Sequence, residues 1–295
     1  MESYKRNMKV ILLFLFPAIA IYTLFSILPI AASFVLSFTR TEAMLGGAME
    51  FVGLNNYEKL LHNDHFWTSL RNIGYFLLLT LLTQIPLGFL FALLLSTKIR
   101  GYKLFKTIIF LPQIVSITAT SMIWYFILYP NDGVLTMFLS AIGVEELSRN
   151  WLVDPNTAMC SIILVNAWVG IGFHMVVFFA AISGIPEDIR DASKIDGVNG
   201  WQNAIYLVMP LVWESVKICV IIVVTAVLKT FDVVFVMTQG GPNGQTHVPT
   251  TLLYDLAFRY DNFGGGSAIA VVIFLLSITL TVLSLKLMRR DVLQY

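Results

Sequence analysis

Residues 73–95 read IGYFLLLTLLTQIPLGFLFALLL and contain no charged side chain. A helix of about 20 apolar residues crosses the hydrocarbon core of a bilayer, so this stretch is long enough to span a membrane. Its apolar residues run continuously and do not alternate with polar ones, which favours a helix over a strand of a membrane barrel. The stretch is therefore predicted to be a transmembrane helix.

Five other windows have the same character. They are Val10–Phe38, Ile108–Tyr129, Ala158–Ile182, Leu207–Leu228 and Ala268–Leu287. Only 13% of the 295 residues are charged, about half the share of a soluble protein, so the chain cannot cover a water-facing surface. With Ile73–Leu95, the windows predict an all-α integral membrane protein with six transmembrane helices, forming a single transmembrane domain over residues 1–295.

The first window follows a basic start, with Lys5, Arg6 and Lys9, as in a secretory signal peptide. The apolar part of a signal peptide has only ~7–15 residues and ends in a small-residue cleavage site. Val10–Phe38 is much longer and lacks an obvious site. We therefore expect a helix that stays in the membrane.

Lys and Arg residues are distributed unevenly between the segments that flank the windows. If both termini lie in the cytoplasm, twelve of them fall on the cytoplasmic side and six on the external side. The loop from Lys98 to Lys103 and the tail from Lys286 to Arg290 hold most of the excess. Because cytoplasmic loops are enriched in Lys and Arg, we expect a multi-pass protein with both termini cytoplasmic.

The cytoplasmic segment 183–204 has the pattern of a short amphipathic helix. Pro186 suits the first helical turn, and the acids Glu187 and Asp188 follow it near the positive end of the helix dipole. The apolar residues recur at helical spacing and form one stripe, which consists of Ile185, Ile189, Ala192 and Ile195. Gly197 then ends the helix. Such a helix either docks on another protein or packs only on its own bundle, and the pattern leaves both open.

Three stretches of the sequence carry motifs of a known protein family. Residues 191–197, DASKIDG, followed by Pro210, are similar to the EAA loop of binding-protein-dependent ABC importer permeases, whose pattern is roughly E-A-A-x-x-D-G with a later proline. Asp stands for Glu at 191, Ser stands for Ala at 193, and a further proline common after Pro210 is missing. Residues 51–57, FVGLNNY, and 231–242, FDVVFVMTQGGP, resemble segments of the maltose-type carbohydrate branch, specifically its first permease subunit.

The resemblance implies the fold of a type I ABC importer transmembrane domain, with segment 183–204 as its coupling loop. In that family the loop forms a helix that inserts into a cleft on an ATPase subunit. The residues that the resemblance assigns to ATPase coupling are Glu187, Asp191, Ala192, Ser193, Asp196 and Gly197.

The resemblance also implies partners and a mechanism. The partners are a second homologous permease subunit, two ATPase subunits and an external solute-binding protein, assembled in the cytoplasmic (inner) membrane of a prokaryote. ATP and Mg²⁺ are bound by the ATPase subunits, so no cofactor is expected in this chain. The implied function is import of a sugar or oligosaccharide by alternating access.

Polar and aromatic residues in or beside the windows are candidates for the sugar path. Sugars are neutral and rich in hydroxyl groups, so aromatic faces, amides and hydroxyls suit them. The compatible residues are Asn166, Trp168, Phe173, Phe231, Phe235 and Thr238. For Phe231 and Phe235 the alternative is packing against lipid or a neighbouring helix.

Ionisable residues at membrane depth are costly and therefore suggest function. Glu214 and Lys217 stand three residues apart, as do Lys229 and Asp232, so each pair can partly neutralise itself on one helix face or extend to the interface. His174, with Asn166 and Trp168 a turn or two earlier, either lines a cavity or is a core residue with its hydrogen bonds satisfied. It has no second ligand at metal-binding spacing, and no metal site is predicted.

Two other functions are weaker interpretations of this sequence. A secondary transporter of a small polar solute needs ion-relay carboxylates within its spans and usually more helices or a visible internal repeat, and neither is found. A membrane-bound enzyme needs a catalytic set, and no Walker motif, nucleophile elbow or HExxH sequence occurs. Gly170-Ile171-Gly172 follows no strand, so we expect it to serve close helix packing. The net charge of +1 gives no indication of a nucleic-acid partner.

Overall fold

The computed structural model describes residues 2–41, 49–97, 100–144, 149–189, 193 and 198–289. Most of these residues lie in helices. The helices include α1 (Glu2–Tyr22), α2 (Leu28–Leu36), α3 (Asn55–Leu61), α4 (Asp64–Ser96), α5 (Tyr102–Ile114), α6 (Ile117–Ile127), α7 (Val134–Ala141), α8 (Pro155–Ser183), α9 (Gly200–Leu211), α10 (Trp213–Leu228), α11 (Asp232–Met237), α12 (Pro249–Tyr254) and α13 (Phe263–Leu287). Three π-helical stretches occur in this part of the chain, at Thr23–Ile27, at Asn203–Val208 within α9, and at Asp255–Arg259 after α12. Two short strands, β1 (Thr39–Arg40) and β2 (Glu50–Phe51), pair antiparallel with Thr39 opposite Phe51.

Within the described residues, four helices are long and apolar enough to cross a membrane on their own. They are Val10–Leu36, Asp64–Ser96, Pro155–Ser183 and Phe263–Leu287. Two bent pairs, α5 with α6 and α9 with α10, pass the same test when each pair is taken as one span, which gives up to six. The predicted class, an all-α membrane protein, is confirmed.

The chain divides into two compact units. The first comprises Met1–Asn63 and Leu253–Phe274, and the second comprises Asp64–Leu252 and Leu275–Tyr295. The sequence predicts a single transmembrane domain over the whole chain, and that assignment stays a prediction.

In the first unit, the FVGLNNY segment holds the end of the first span. Asn56 in α3 is buried and donates hydrogen bonds from its side chain to the backbone carbonyls of Ser37 and Thr39, each 2.9 Å long. The Tyr57 hydroxyl donates to Ser37 Oγ at 2.8 Å. The two hydrogen bonds from the Asn56 amide satisfy carbonyls that the end of α2 and strand β1 leave without a partner. The motif therefore holds α3 against the end of the first span.

In the second unit, α4 and α8 form the centre of the bundle, and α5 and α10 pack beside them. The approach of α5 to α8 depends on Gly172, because a Cβ atom there would stand 2.5 Å from the backbone carbonyl oxygen of Ile109. This contact confirms that the Gly170–Gly172 stretch serves close helix packing. Two apolar clusters flank the bundle centre, one around Phe76 and Ile162, the other around Phe178 and Cys219.

The third predicted window, Ile108–Tyr129, is not one straight helix. It breaks into α5 and α6, whose axes meet at 96°. Val115 and Ser116 take extended conformations, with ψ of 140° and 134°. Pro112 explains part of the break, because it has no N–H to bond the preceding turn and its ring crowds that turn's carbonyl.

The fifth predicted window, Leu207–Leu228, is also bent. Helix α9 meets α10 at 77°, and the break falls at Val212, whose φ and ψ are −98° and 17°. Pro210, two residues earlier, removes one helical hydrogen bond just before the break. The continuous apolarity of these windows does not indicate either bend, because it shows that a segment lies in lipid but not in which direction its helix runs.

Candidate functional site

A cavity of about 240 Å³ lies inside the second unit, between α4, the α5–α6 break, α8 and α10. It is lined by Thr80, Gln84, Gln113, Ile117, Asn166, Val169, Gly170, Phe173, His174, Ile222, Val223, Ala226, Val227 and Thr230. The bend after Pro112 leaves Gln113 and Ile117, on opposite sides of the break, at the same cavity wall. The cavity is thus placed where four predicted spans meet and where one of them is broken.

One wall of the cavity is fixed by a contact between α4 and α8. Gln84 is 5% exposed, and its Nε2 atom donates a hydrogen bond to the backbone carbonyl of Asn166 at 3.0 Å. Gly170, one helical turn further along α8, lies directly against the Gln84 amide, and a Cβ atom there would clash with it. The missing side chain at Gly170 therefore makes room for the buried amide of Gln84.

Two buried polar atoms at the cavity have no partner in the described part of the chain: Thr80 Oγ1 and His174 Nε2. The other ring nitrogen of His174, Nδ1, lies 2.9 Å from the carbonyl of Gly170. A carbonyl only accepts, so in the neutral ring Nδ1 carries the proton. The backbone of Cys219 also lies beside this ring. The cavity thus holds a hydroxyl and a ring nitrogen that make no hydrogen bond among the described residues.

The described residues that line the cavity include no Asp, Glu, Lys or Arg. Its polar groups are amides, hydroxyls and one imidazole, and its remaining surface is aliphatic apart from Phe173. Such a lining can exchange hydrogen bonds with a neutral polar molecule. It offers no charged partner to an ionised molecule. Such a molecule would lose its hydration on entering the cavity without gaining an ion pair in return.

The six residues predicted for the sugar path do not all meet at this cavity. Asn166 and Phe173 line it. Trp168 lies on the opposite side of α8, is 45% exposed, and packs edge to face with Trp124 at a centroid distance of 5.6 Å. Helical periodicity explains the separation, because Trp168 is two residues from Asn166 and therefore turned away from it.

The other three residues of that set lie beyond α10. The rings of Phe231 and Phe235 stack on each other with centroids 4.9 Å apart. Thr238 Oγ1 lies 3.1 Å from the carbonyl of Val234 and 2.8 Å from Thr246 Oγ1, so this hydroxyl closes the turn that follows α11.

Four polar cavity residues were not among the sequence candidates: Thr80, Gln84, Gln113 and Thr230. Thr80, Gln84 and Gln113 are polar residues inside predicted spans, a signal that the sequence does contain. Other polar residues share that signal, such as Thr83, whose hydroxyl bonds the carbonyl of Leu79 on its own helix. Choosing among them requires the direction in which each side chain points.

The segment predicted to couple to the ATPase is described in part. Glu187 is exposed and Ser193 is half-buried, whereas Asp191, Ala192, Asp196 and Gly197 lie outside the described residues. Ile185 is buried in the cluster around Phe178, and Ile189 packs against the same cluster. The beginning of the predicted apolar stripe therefore packs on its own bundle and leaves the acidic side of this turn exposed.

The charged pair at the start of α10 forms as the spacing suggests. Lys217 Nζ lies 2.5 Å from Glu214 Oε1, with the carboxylate side chain half exposed. Lys229 and Asp232 are both exposed. Among the described residues, no group of three or more His, Cys, Asp or Glu side chains is arranged to hold a metal ion.

Residues 84–294 match the family described as binding-protein-dependent transport system inner membrane component. The chain belongs to this family. The probable ABC transporter permease protein PH1215 of Pyrococcus horikoshii is 33% identical over 268 residues, 91% of each chain. The trehalose/maltose transport system permease protein MalF of Thermococcus litoralis is 30% identical over 291 residues, 97% of this chain and 96% of the relative.

The fold agrees with the family. A chain from a crystal structure of a bacterial alginate ABC transporter, in complex with an alginate pentasaccharide-bound periplasmic protein, superposes with a TM-score of 0.85. That chain is 21% identical and the match covers 98% of this chain and 96% of the other. The comparisons confirm the prediction of a multi-pass ABC importer permease, which is a transport subunit and not an enzyme.

Proposed function

We propose that this permease imports a neutral sugar or oligosaccharide and that the polar cavity is its contribution to the translocation path. The observation that carries the proposal is the pairing of an uncharged lining with two buried polar atoms that lack a partner among the described residues, Thr80 Oγ1 and His174 Nε2. A hydroxyl-rich ligand donates and accepts hydrogen bonds without bringing a charge. It therefore satisfies both atoms at low desolvation cost.

The relatives support a sugar as the substrate class. The trehalose/maltose permease is 30% identical over nearly its whole length. The structural neighbour belongs to an importer of alginate, an acidic polysaccharide. Because the described lining of this cavity holds no Lys or Arg, a neutral sugar is favoured here over an acidic one.

The cavity is small for a complete site. Small-molecule sites usually enclose roughly 300–1,000 Å³, against about 240 Å³ here. A second permease subunit facing this one is proposed to supply the rest. Two ATPase subunits, which bind ATP and Mg²⁺, and an external solute-binding protein complete the proposed assembly in the inner membrane of a prokaryote.

The proposed mechanism is alternating access. A ligand shifts a conformational equilibrium only by binding one state more tightly than the other. The sugar-loaded binding protein, bound outside, and ATP, bound inside, are the two ligands proposed to act in this way. Segment 183–204 is proposed to transmit ATPase closure, with Glu187, Asp191, Ala192, Ser193, Asp196 and Gly197 at the contact.

Reconstitution tests the proposal directly. The chain, its second permease, the ATPase and the binding protein are placed in liposomes, and uptake of labelled maltose, trehalose and a uronic-acid disaccharide is measured with and without ATP. We expect uptake of a neutral sugar that requires ATP and the binding protein. Uptake driven by an ion gradient without ATP would contradict the importer assignment, and preferred uptake of the uronate would contradict the neutral-sugar assignment.

A further inference from the structure

Helix α9, residues 200–211, reads GWQNAIYLVMPL and contains no charged side chain. Its first five residues form the end of segment 183–204, which is proposed to couple to the ATPase, and its last residue lies just before α10. A helix of this composition with exposed aromatic rings is poorly suited to water. It is also too short, at 12 residues, to cross a bilayer by itself.

The direction of α9 differs sharply from that of α10, since their axes meet at 77°. If α10 crosses the membrane with the usual tilt of about 20°, α9 runs at a shallow angle to the membrane plane. We infer that α9 is an interfacial helix whose Trp201 and Tyr206 rings lie at the boundary between lipid headgroups and acyl chains. The partner of this surface is therefore the lipid bilayer.

The two sides of α9 are clearly different. Ala204 and Val208 are buried, at 1% and 5% exposure, and belong to the apolar cluster around Phe178. Trp201 and Tyr206 are 69% and 76% exposed. Trp and Tyr combine an apolar ring with one polar group, and they concentrate where a membrane meets water.

Polarity also changes along the helix axis. At the start, Asn199 Oδ1 accepts a hydrogen bond from the Gln202 backbone N–H at 2.8 Å, and Gln202 Oε1 accepts one from the Asn199 backbone N–H at 3.1 Å. This capping box fixes the polar beginning of the helix. From Leu207 to Leu211 every residue is apolar. The gradient suits a helix that starts at the headgroups and descends into the acyl region where α10 begins.

An interfacial α9 has a consequence for coupling. The end of the segment proposed to contact the ATPase would be held at a fixed depth relative to the bilayer. Movement of that segment would then be transmitted to α10 through the bend at Val212 and not lost in a free loop. The lipid assignment itself does not depend on what the transporter carries.

Depth measurement tests the inference on the assembled transporter in liposomes. Cys160 and Cys219 are replaced by Ser and Ala, a nitroxide is attached at Tyr206→Cys, and its collisions with oxygen and with a water-soluble nickel chelate are compared. Tyr260→Cys is the matched control, because Tyr260 is 72% exposed at the end of the π-helical stretch after α12. We expect the nitroxide at position 206 to collide more often with oxygen than with the nickel chelate, and the nitroxide at position 260 to collide more often with the nickel chelate.

Two results at position 206 would overturn the inference. The first is nickel access equal to that at position 260. The second is a dependence on the ATPase: neither reagent reaches the nitroxide when the ATPase is bound, and the nickel chelate reaches it when the ATPase is removed. That pattern would mean that the ATPase, and not lipid, covers this surface. Brominated lipids provide a check that keeps Tyr206 intact. Quenching of tryptophan fluorescence should be smaller in Trp201→Phe than in the parent, and unchanged quenching would also overturn the inference.

Discussion

Gln84 and Asn166 join the two central helices of the second unit through a hydrogen bond of 3.0 Å from the Gln84 side chain to the Asn166 backbone carbonyl. This bond lies at the wall of the polar cavity, and Gly170 leaves the space that the Gln84 amide occupies. The arrangement makes the stability of the bundle sensitive to a single methyl group.

Gly170→Ala should therefore lower the melting temperature, because the new methyl group displaces the Gln84 amide from its bond, at about 0.5–1.5 kcal/mol. In a Gln84→Ala background the same change should be neutral or stabilising, since Ala favours a helix over Gly by roughly 1 kcal/mol. Thermal unfolding in detergent measures both. Gly74→Ala, where a Cβ atom meets nothing within 4 Å, is the control. If Gly170→Ala changed the melting temperature equally in the two backgrounds, the proposed contact between Gly170 and the Gln84 amide would be ruled out.

Thr80→Val should weaken sugar uptake without destabilising the protein. The Thr80 hydroxyl is buried without a partner among the described residues, so its removal does not break a bond in the empty protein. Loss of one hydrogen bond to sugar, about 0.5–1.5 kcal/mol, raises the half-saturating sugar concentration about two- to tenfold. Thr83→Val, on the same helix but bonded to the Leu79 carbonyl, serves as control. A lower melting temperature with unchanged uptake would assign the Thr80 hydroxyl to structure instead.

Labelling of single cysteines checks the membrane orientation that the distribution of Lys and Arg predicts. Asn199 and Asn243 are both exposed, so a cysteine at either position is accessible to reagent on its own side. In a background without Cys160 and Cys219, a membrane-impermeant thiol reagent added to intact cells should modify position 243 and spare position 199. Permeabilised cells, in which both should react, provide the control. The reverse pattern in intact cells would place the termini outside.

Gly197→Val should uncouple transport from ATP hydrolysis, because Gly197 is predicted to end the coupling helix in a conformation that only glycine adopts cheaply. We expect the variant to insert in the membrane, to lose sugar uptake and to retain less ATPase on purification. Gly200→Val is the comparison, since Gly200 is exposed and a Cβ atom there meets nothing within 4 Å. Normal uptake by Gly197→Val at normal expression would remove Gly197 from the coupling mechanism.

The amino-acid sequence was sufficient to identify the lipid bilayer as the environment of this protein, and therefore its fold class. Six long apolar windows leave the backbone no hydrogen-bond partners except its own, which requires helices whatever the details of packing. The EAA-like loop, the FVGLNNY segment and the stretch ending in QGGP were sufficient to indicate the permease family, which the match over residues 84–294 confirms.

The directions of the helices, and the pairs of side chains that face one another, became known only from the packed fold. Apolarity is the same on both sides of a bend. Pro112 and Pro210 mark places in the windows where a helix is weakened, but they do not give the angles of 96° and 77° at which the helices meet. Trp168 and Asn166 are two residues apart and equally plausible from composition, but they point to opposite sides of α8. Gln84 and Gly170 are far apart in the chain, and no sequence pattern indicates that they are in contact. Their contact depends on the distance between the two packed helices α4 and α8. Contacts of this kind depend on packing, which a single sequence does not record.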